Sequence, residues 1–64
     1  MKIYKIDDYL FLKREIVSEE KVIPIGEECK IMYENKNSFD IMCLDSKQAF
    51  RCLKTKISEN YEKR

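Results

Sequence analysis

The chain has no histidine, no tryptophan, a single glycine and a single proline among its 64 residues. Without histidine there is no imidazole acid–base chemistry, no histidine-containing metal site and no catalytic triad that depends on one. One glycine leaves no material for a GxGxxG fingerprint, a P-loop or a GxSxG nucleophile elbow. No run approaches the roughly 20 apolar residues needed to span a bilayer. Asp7 and Asp8 also interrupt the amino-terminal stretch where a signal peptide needs its apolar core. The protein is therefore expected to start at Met1 and to be cytoplasmic, with no membrane partner. An excess of charge of one sign is missing too. Thirteen Lys and Arg against 12 Asp and Glu give a net +1, so no domain-wide field draws in nucleic acid, and a partner must be selected by local shape.

What remains is enough for one small domain, because a chain near 60 residues buries only about 60% of its unfolded surface. The domain is expected over residues 1–58, with the charged stretch Glu59 to Arg64 as a frayed tail. Cys29, Cys43 and Cys52 are an odd number at wide spacings with no CxxC pair. They read as reduced, unmetallated core residues rather than a zinc site. Asp7 and Asp8, adjacent and so pointing apart in a strand, make no acid–base pair with each other. No enzyme, cofactor or metal is expected.

From Glu28 onward the hydrophobic period is two, the signature of half-buried strands. Cys29, Ile31 and Tyr33 alternate inward, Asn35–Ser38 is a turn by composition, and Phe39, Ile41 and Cys43 alternate again. Asp45–Gln48 is a second turn, followed by Phe50 and Cys52 inward with Arg51 outward. The result is a three-strand meander. Closing the second hairpin at Leu44 and Ala49 pairs Cys43 with Phe50 and Ile41 with Cys52, all inward. In the first hairpin, Glu34 opposite Phe39 would mix faces. A three-residue loop closed by Asn35 and Phe39 avoids that, pairs Tyr33 with Ile41 and Ile31 with Cys43, and places an Asn or Ser in the left-handed region. The outer face then pairs Met32 with Met42 and Met42 with Arg51. In the amino-terminal half, Tyr9 to Ile16 fits a strand with Leu10, Leu12 and Ile16 on one face, or a helix capped by Asp8. The strand is preferred because it lets Tyr9 and Phe11 lie together on the other face. Pro24 and Gly26 mark a turn in an apolar segment that folds back on the domain, and Lys54 to Ser58 offers a short closing strand through Ile57.

The order of Ile6-Asp7-Asp8-Tyr9-Leu10, the extended Leu12 to Ile16, a long loop ending Ile23-Pro24-Ile25-Gly26 and a tight meander resembles a small Src homology 3-like barrel of the KOW-like or Tudor-like bacterial type. Asp8 and Glu28 stand where glycines are common in that family. The resemblance implies an all-β fold, a five-stranded antiparallel barrel with a short carboxy-terminal turn or helix. It also implies a role in binding rather than catalysis. Without tryptophan, the recognition of proline-rich ligands by signalling members is not carried over.

Two sets of outward residues are candidates for the binding surface. Met32, Met42, Arg51 and Leu53 form an apolar face centred on an arginine, a composition suited to protein docking. Lys13, Arg14, Lys54 and Lys56, with Tyr9 or Tyr33 to stack on a base, are the alternative, a nucleic-acid surface. The leading expectation is a non-enzymatic regulatory module that docks on a protein partner. The wealth of Lys, Ile, Glu and Asn, typical of AT-rich genomes, points to a phage or mobile-element inhibitor or adaptor of a host machine. A homo-oligomer that buries its outer strands is the third reading.

Overall fold

The period-two stretches become strands in a computed structural model that describes residues 3–64; an expected domain start at residue 1 lies outside the described residues. The strands are β1 (Tyr9–Leu12), β2 (Ile16–Val17), β3 (Val22–Ile23), β4 (Glu28–Glu34), β5 (Ser38–Cys43) and β6 (Gln48–Leu53). A 3-10 turn (Lys54–Lys56), a one-turn helix α1 (Ile57–Asn60) and β7 (Tyr61–Lys63) complete the chain. Five strands form one antiparallel sheet in the order β6-β5-β4-β1-β7, and β2 and β3 form a separate two-stranded ladder. The fold is therefore mainly β, antiparallel, with one short helix.

The strand reading of the amino-terminal half holds for Tyr9–Leu12, with Leu10 and Leu12 buried and Tyr9 and Phe11 on the opposite face. It stops there, and Ile16 begins a different ladder by pairing with Ile23. Gly26 adopts φ 96° and donates its N–H to the Leu12 carbonyl at 2.7 Å, so the Pro24–Glu27 turn is fastened to the end of β1. Ile23, completely buried, and Ile16, partly buried, are the residues by which the long connection packs onto the core.

Both hairpins of the meander form, each with a register different from that expected. In the second, the four-residue loop is Leu44–Lys47, so Cys43 faces Gln48, Ile41 faces Phe50 and Phe39 faces Cys52. Hydrophobic alternation is blind to such a two-residue change of partner, because every side chain stays on its own face. The turn is held instead by local bonds. Lys47, at φ 58°, donates to the Cys43 carbonyl at 2.7 Å, and the Glu27 carboxylate accepts from Ser46 N–H and Oγ at 2.9 and 3.0 Å.

In the first hairpin Glu34 does face Phe39. The mixing of faces is relieved by a β-bulge: Ile31 faces Ile41 but Tyr33 faces Asp40, which leaves Met32 as an extra residue in β4. The bulge turns Tyr33 outward, 65% exposed rather than inward as expected. It also makes a left-handed Asn or Ser in this turn unnecessary, and among the described residues only Asp7 and Lys47 are non-glycine residues at positive φ.

The core contains Leu10, Leu12, Ile23, Cys29, Ile31, Ile41 and Cys43 at its centre, with Phe39, Cys52, Ile57 and Tyr61 around them. Each large side chain so buried contributes about 1.5–3 kcal/mol. Phe50, expected among them, is only partly buried, because β6 ends the sheet and, among the described residues, no strand pairs with its far side. The closing strand is also not Lys54–Ser58. Those residues turn, and Ile57 enters the core from the turn. The stretch expected to fray instead supplies β7, where Tyr61 is buried opposite Leu12 and the Arg64 N–H donates to the Tyr9 carbonyl. One buried aromatic is enough to hold an edge strand whose other residues are charged.

Candidate functional site

The outer face of the meander carries a shallow groove of about 590 Å³ walled by Met32, Tyr33, Met42, Ala49 and Phe50, with Asp40 and Arg51 at its rim. The bulge at Met32 shapes it by bringing Tyr33 to this face, while Phe50, opposite Ile41 and packed against the core, borders it from the end strand. The expected cross-strand pairs are not the ones formed. Met42 faces Lys30 and Ala49, and Arg51 faces Asp40. Met32, Met42 and Arg51 nevertheless meet in one groove. Arg51 Nε donates to Asp40 Oδ1 at 3.1 Å, and Asn35 Nδ2 donates to the same oxygen at 3.2 Å, so the arginine is aimed by a carboxylate that is itself held.

Leu53, the fourth residue of that set, lies elsewhere. It is 55% exposed and borders a second cleft of about 420 Å³ between β6 and the chain that leaves β1, with Leu12, Ile16, Phe50 and Tyr61 as its apolar wall. Arg14, Arg51 and Lys56 stand on its rim with Glu15. Towards the start of β6 a further recess of about 460 Å³ lies between Gln48–Ala49 and Ser18–Glu20.

The four cations of the alternative surface do not form one stripe. Lys13 Nζ donates to the Ser58 carbonyl at 3.0 Å, while Arg14 and Lys56 approach one carboxylate, Glu59, at 4.0 and 3.5 Å. Lys54 is apart from them, 2.6 Å from Glu34 and 5.3 Å from the Phe39 ring centroid. Tyr9, a candidate for base stacking, has Lys30 and Arg64 over its ring at 5.6 and 5.4 Å.

No family model, curated protein or solved structure matches this chain.

The cysteines are free thiols, all buried. Cys29 faces Cys43 directly across the β4–β5 ladder and donates to its sulfur at 3.6 Å, whereas Cys52, expected diagonal to Cys43, faces Phe39. That hydrogen bond, with burial, pushes the Cys29 thiol far above its ordinary range; burial also raises Cys52 and Tyr61. Protonated and enclosed, Cys29 and Cys52 are poor nucleophiles. Among the described residues no group of three His, Cys, Asp or Glu side chains is placed to hold a metal ion. Among them too, no helix is long and apolar enough to cross a membrane.

Sequence reasoning missed Asp40, Tyr33 and Phe50 as groove residues, while Ala49 was legible with Met32 and Met42 as an outward apolar residue. Asp40 was visible as an outward residue between Phe39 and Ile41. The other two depend on a bulge and a strand edge, neither of which leaves a periodic signal.

Proposed function

We propose that the chain is a small Src homology 3-like barrel that acts as a non-enzymatic docking module, an inhibitor or adaptor that binds a protein partner through the groove of Met32, Met42 and Arg51. The observation that carries this reading is the groove itself, an apolar floor with two methionines beneath an arginine held by Asp40. Flexible thioethers adapt to a partner's shape, and a pre-oriented arginine is the residue type that most often dominates an interface. For the barrel, support comes from the two ends of the sheet. β7 returns to β1, and Asn60 beside it reaches the Cys52 sulfur in β6 at 3.8 Å, which draws the outer strands towards each other. The protein reading is favoured over nucleic acid because Arg14, Lys54 and Lys56 already face carboxylates, and phosphate binding depends on cations free to replace counterions.

The test is affinity capture of a partner from the host, followed by binding of purified variants. Met42→Glu and Arg51→Glu are expected to bind at least about tenfold more weakly with little change in melting temperature. Binding as tight as that of the parent would overturn the reading. A salt-sensitive oligonucleotide complex weakened by Lys13→Ala and Lys56→Ala, and untouched by Met42→Glu, would put the nucleic-acid reading in its place.

A further inference from the structure

The β5–β6 ladder determines which backbone groups of β6 are already used. Lys54 N–H donates to the Asn37 carbonyl at 2.9 Å, and the register runs Ser38 to Leu53, Phe39 to Cys52, Asp40 to Arg51 and Ile41 to Phe50. Hydrogen-bonded and non-bonded pairs alternate along an antiparallel ladder. Counting from Asn37–Lys54, Cys52 and Phe50 bond to β5, while Leu53, Arg51 and Ala49 turn their N–H and C=O groups the other way. β6 is the end strand, and among the described residues no backbone bond beyond the ladder reaches these three. The Leu53 carbonyl takes only a weak thiol contact from Cys52 at 3.5 Å.

Exposed edges of this kind are normally blunted by a proline, a bulge, charged side chains or a covering segment. β6 has no proline, its one charged side chain, Arg51, is turned towards Asp40 of β5, and its register with β5 is unbroken. Instead of a cover, the edge meets the two recesses described above, bounded on the far side by the chain from Leu12 to Glu20. That opening is polarised. At the Leu53 end the cleft is lined by three cations, Arg14, Arg51 and Lys56, against one carboxylate, Glu15, with Glu59 shared between Arg14 and Lys56; at the Gln48 end Glu19 and Glu20 face the strand.

We propose that the β6 edge accepts a strand: an extended segment of a partner protein, antiparallel to β6, acidic at its amino-terminal end, apolar in the middle and basic at its carboxy-terminal end. The inference rests on the docking reading and adds the form in which the partner is held. Main-chain bonds to Ala49, Arg51 and Leu53 supply the attachment, and alternate side chains enter the cleft beside Leu12 and Phe50. A second copy of this chain fits less well. Antiparallel self-pairing that uses all three open positions sets Arg51 against Arg51 at a Cα separation of about 5.5 Å, and like charges directly opposite are destabilising. It also brings no carboxylate of β6 to Arg14 and Lys56.

The experiment is an NMR titration of the full chain with the acetylated, amidated peptide Glu-Val-Thr-Val-Thr-Val-Lys. The expected result is that the amides of Ala49, Arg51 and Leu53 shift downfield and gain protection from exchange. The reversed order, Lys-Val-Thr-Val-Thr-Val-Glu, is expected to bind about tenfold more weakly, through misplaced end charges. A peptide N-methylated at the residues that donate to β6 is expected not to bind. Leu53→Pro removes one outward donor, and because Leu53 already has φ −62° it is expected to fold and to bind about three- to tenfold more weakly. No binding of the first peptide at millimolar concentration, or equal binding of its N-methylated form, overturns the proposal. Met42→Glu separates the two claims, since it is expected to lose the captured partner while keeping this peptide within about twofold. Loss of the peptide with that variant would place the strand on the outer groove and overturn the edge assignment alone.

Discussion

The meander β4–β6 and the segments that flank it are built on different terms. In the meander, three consecutive strands bury Cys29, Ile31, Phe39, Ile41, Cys43 and Cys52 at alternate positions, and each hairpin is closed within a few residues. The flanks contribute strands of two to four residues, each anchored at one or two points: Leu10 and Leu12 in β1, Ile23 in β3, Tyr61 in β7. β1 joins the meander through a short ladder with β4 and holds β7 through another, while single bonds, such as Lys13 N–H to the Asn60 carbonyl at 2.7 Å and Gly26 N–H to the Leu12 carbonyl, fasten the connections between them. A repeated pattern distributes stability over many positions. Isolated anchors concentrate it.

The sharpest way to separate the two regions is to remove one anchor from each. Ile41→Ala and Tyr61→Ala are both expected to cost about 2–5 kcal/mol, a large share of what a domain this small possesses. Their consequences differ. With Ile41→Ala, exchange protection is expected to be lost throughout the sheet; with Tyr61→Ala it disappears first from β1 and β7 while the meander amides stay protected. Equal loss everywhere in Tyr61→Ala would show that the flank is not a separable unit.

Alkaline pH probes the same division chemically. Cys29, Cys52 and Tyr61 are acids whose folded pKa values lie above their ordinary 9.0 and 10.0. The unfolded chain thus releases its protons first, and stability is fully present below about pH 9 and falls above it. Urea melts are expected to show a loss of about 1–2 kcal/mol between pH 8 and pH 10, carried by Cys29 and Cys52 and opposed in part by Cys43, whose thiol the hydrogen bond from Cys29 holds below its ordinary range, with Tyr61 adding to the loss only beyond pH 10. A curve flat to pH 10.5 would contradict this.

The smallest effect belongs to Gly26. A Cβ there would meet no atom within 4 Å, so Gly26→Ala tests backbone conformation alone at φ 96°. The expected cost is about 1 kcal/mol by chemical denaturation, and no cost would mean that the turn at the end of β1 can relax.

The same contrast explains what could be read from the amino acids. Face assignments in the meander, except at Tyr33 past the bulge, were legible because alternation specifies them, and Met32, Met42 and Arg51 followed as the outward remainder. Pairing partners were not, since a shift of two residues preserves every face; the choice is made by Glu27 gripping Ser46 and by Lys47 at φ 58°. The bulge at Met32 escaped because one extra residue breaks no composition rule. β7 escaped because Tyr61 is the lone apolar residue in a charged stretch, and one residue has no period. Leu53 was correctly outward but belongs to the edge cleft rather than the groove, a distinction that depends on which strand ends the sheet.

The pairing of β1 with β7 also governs the order of events when the chain folds. Leu12 must find Tyr61 across most of the sequence, whereas Cys43 and Gln48 close a loop of four residues. Local contacts form earlier because they close with less loss of chain entropy. The meander is thus the natural nucleus, β7 docks last, and its release is the first step of unfolding. Because Tyr61 is part of the wall beside β6, the last segment to arrive is also the one that gives the cleft its final shape.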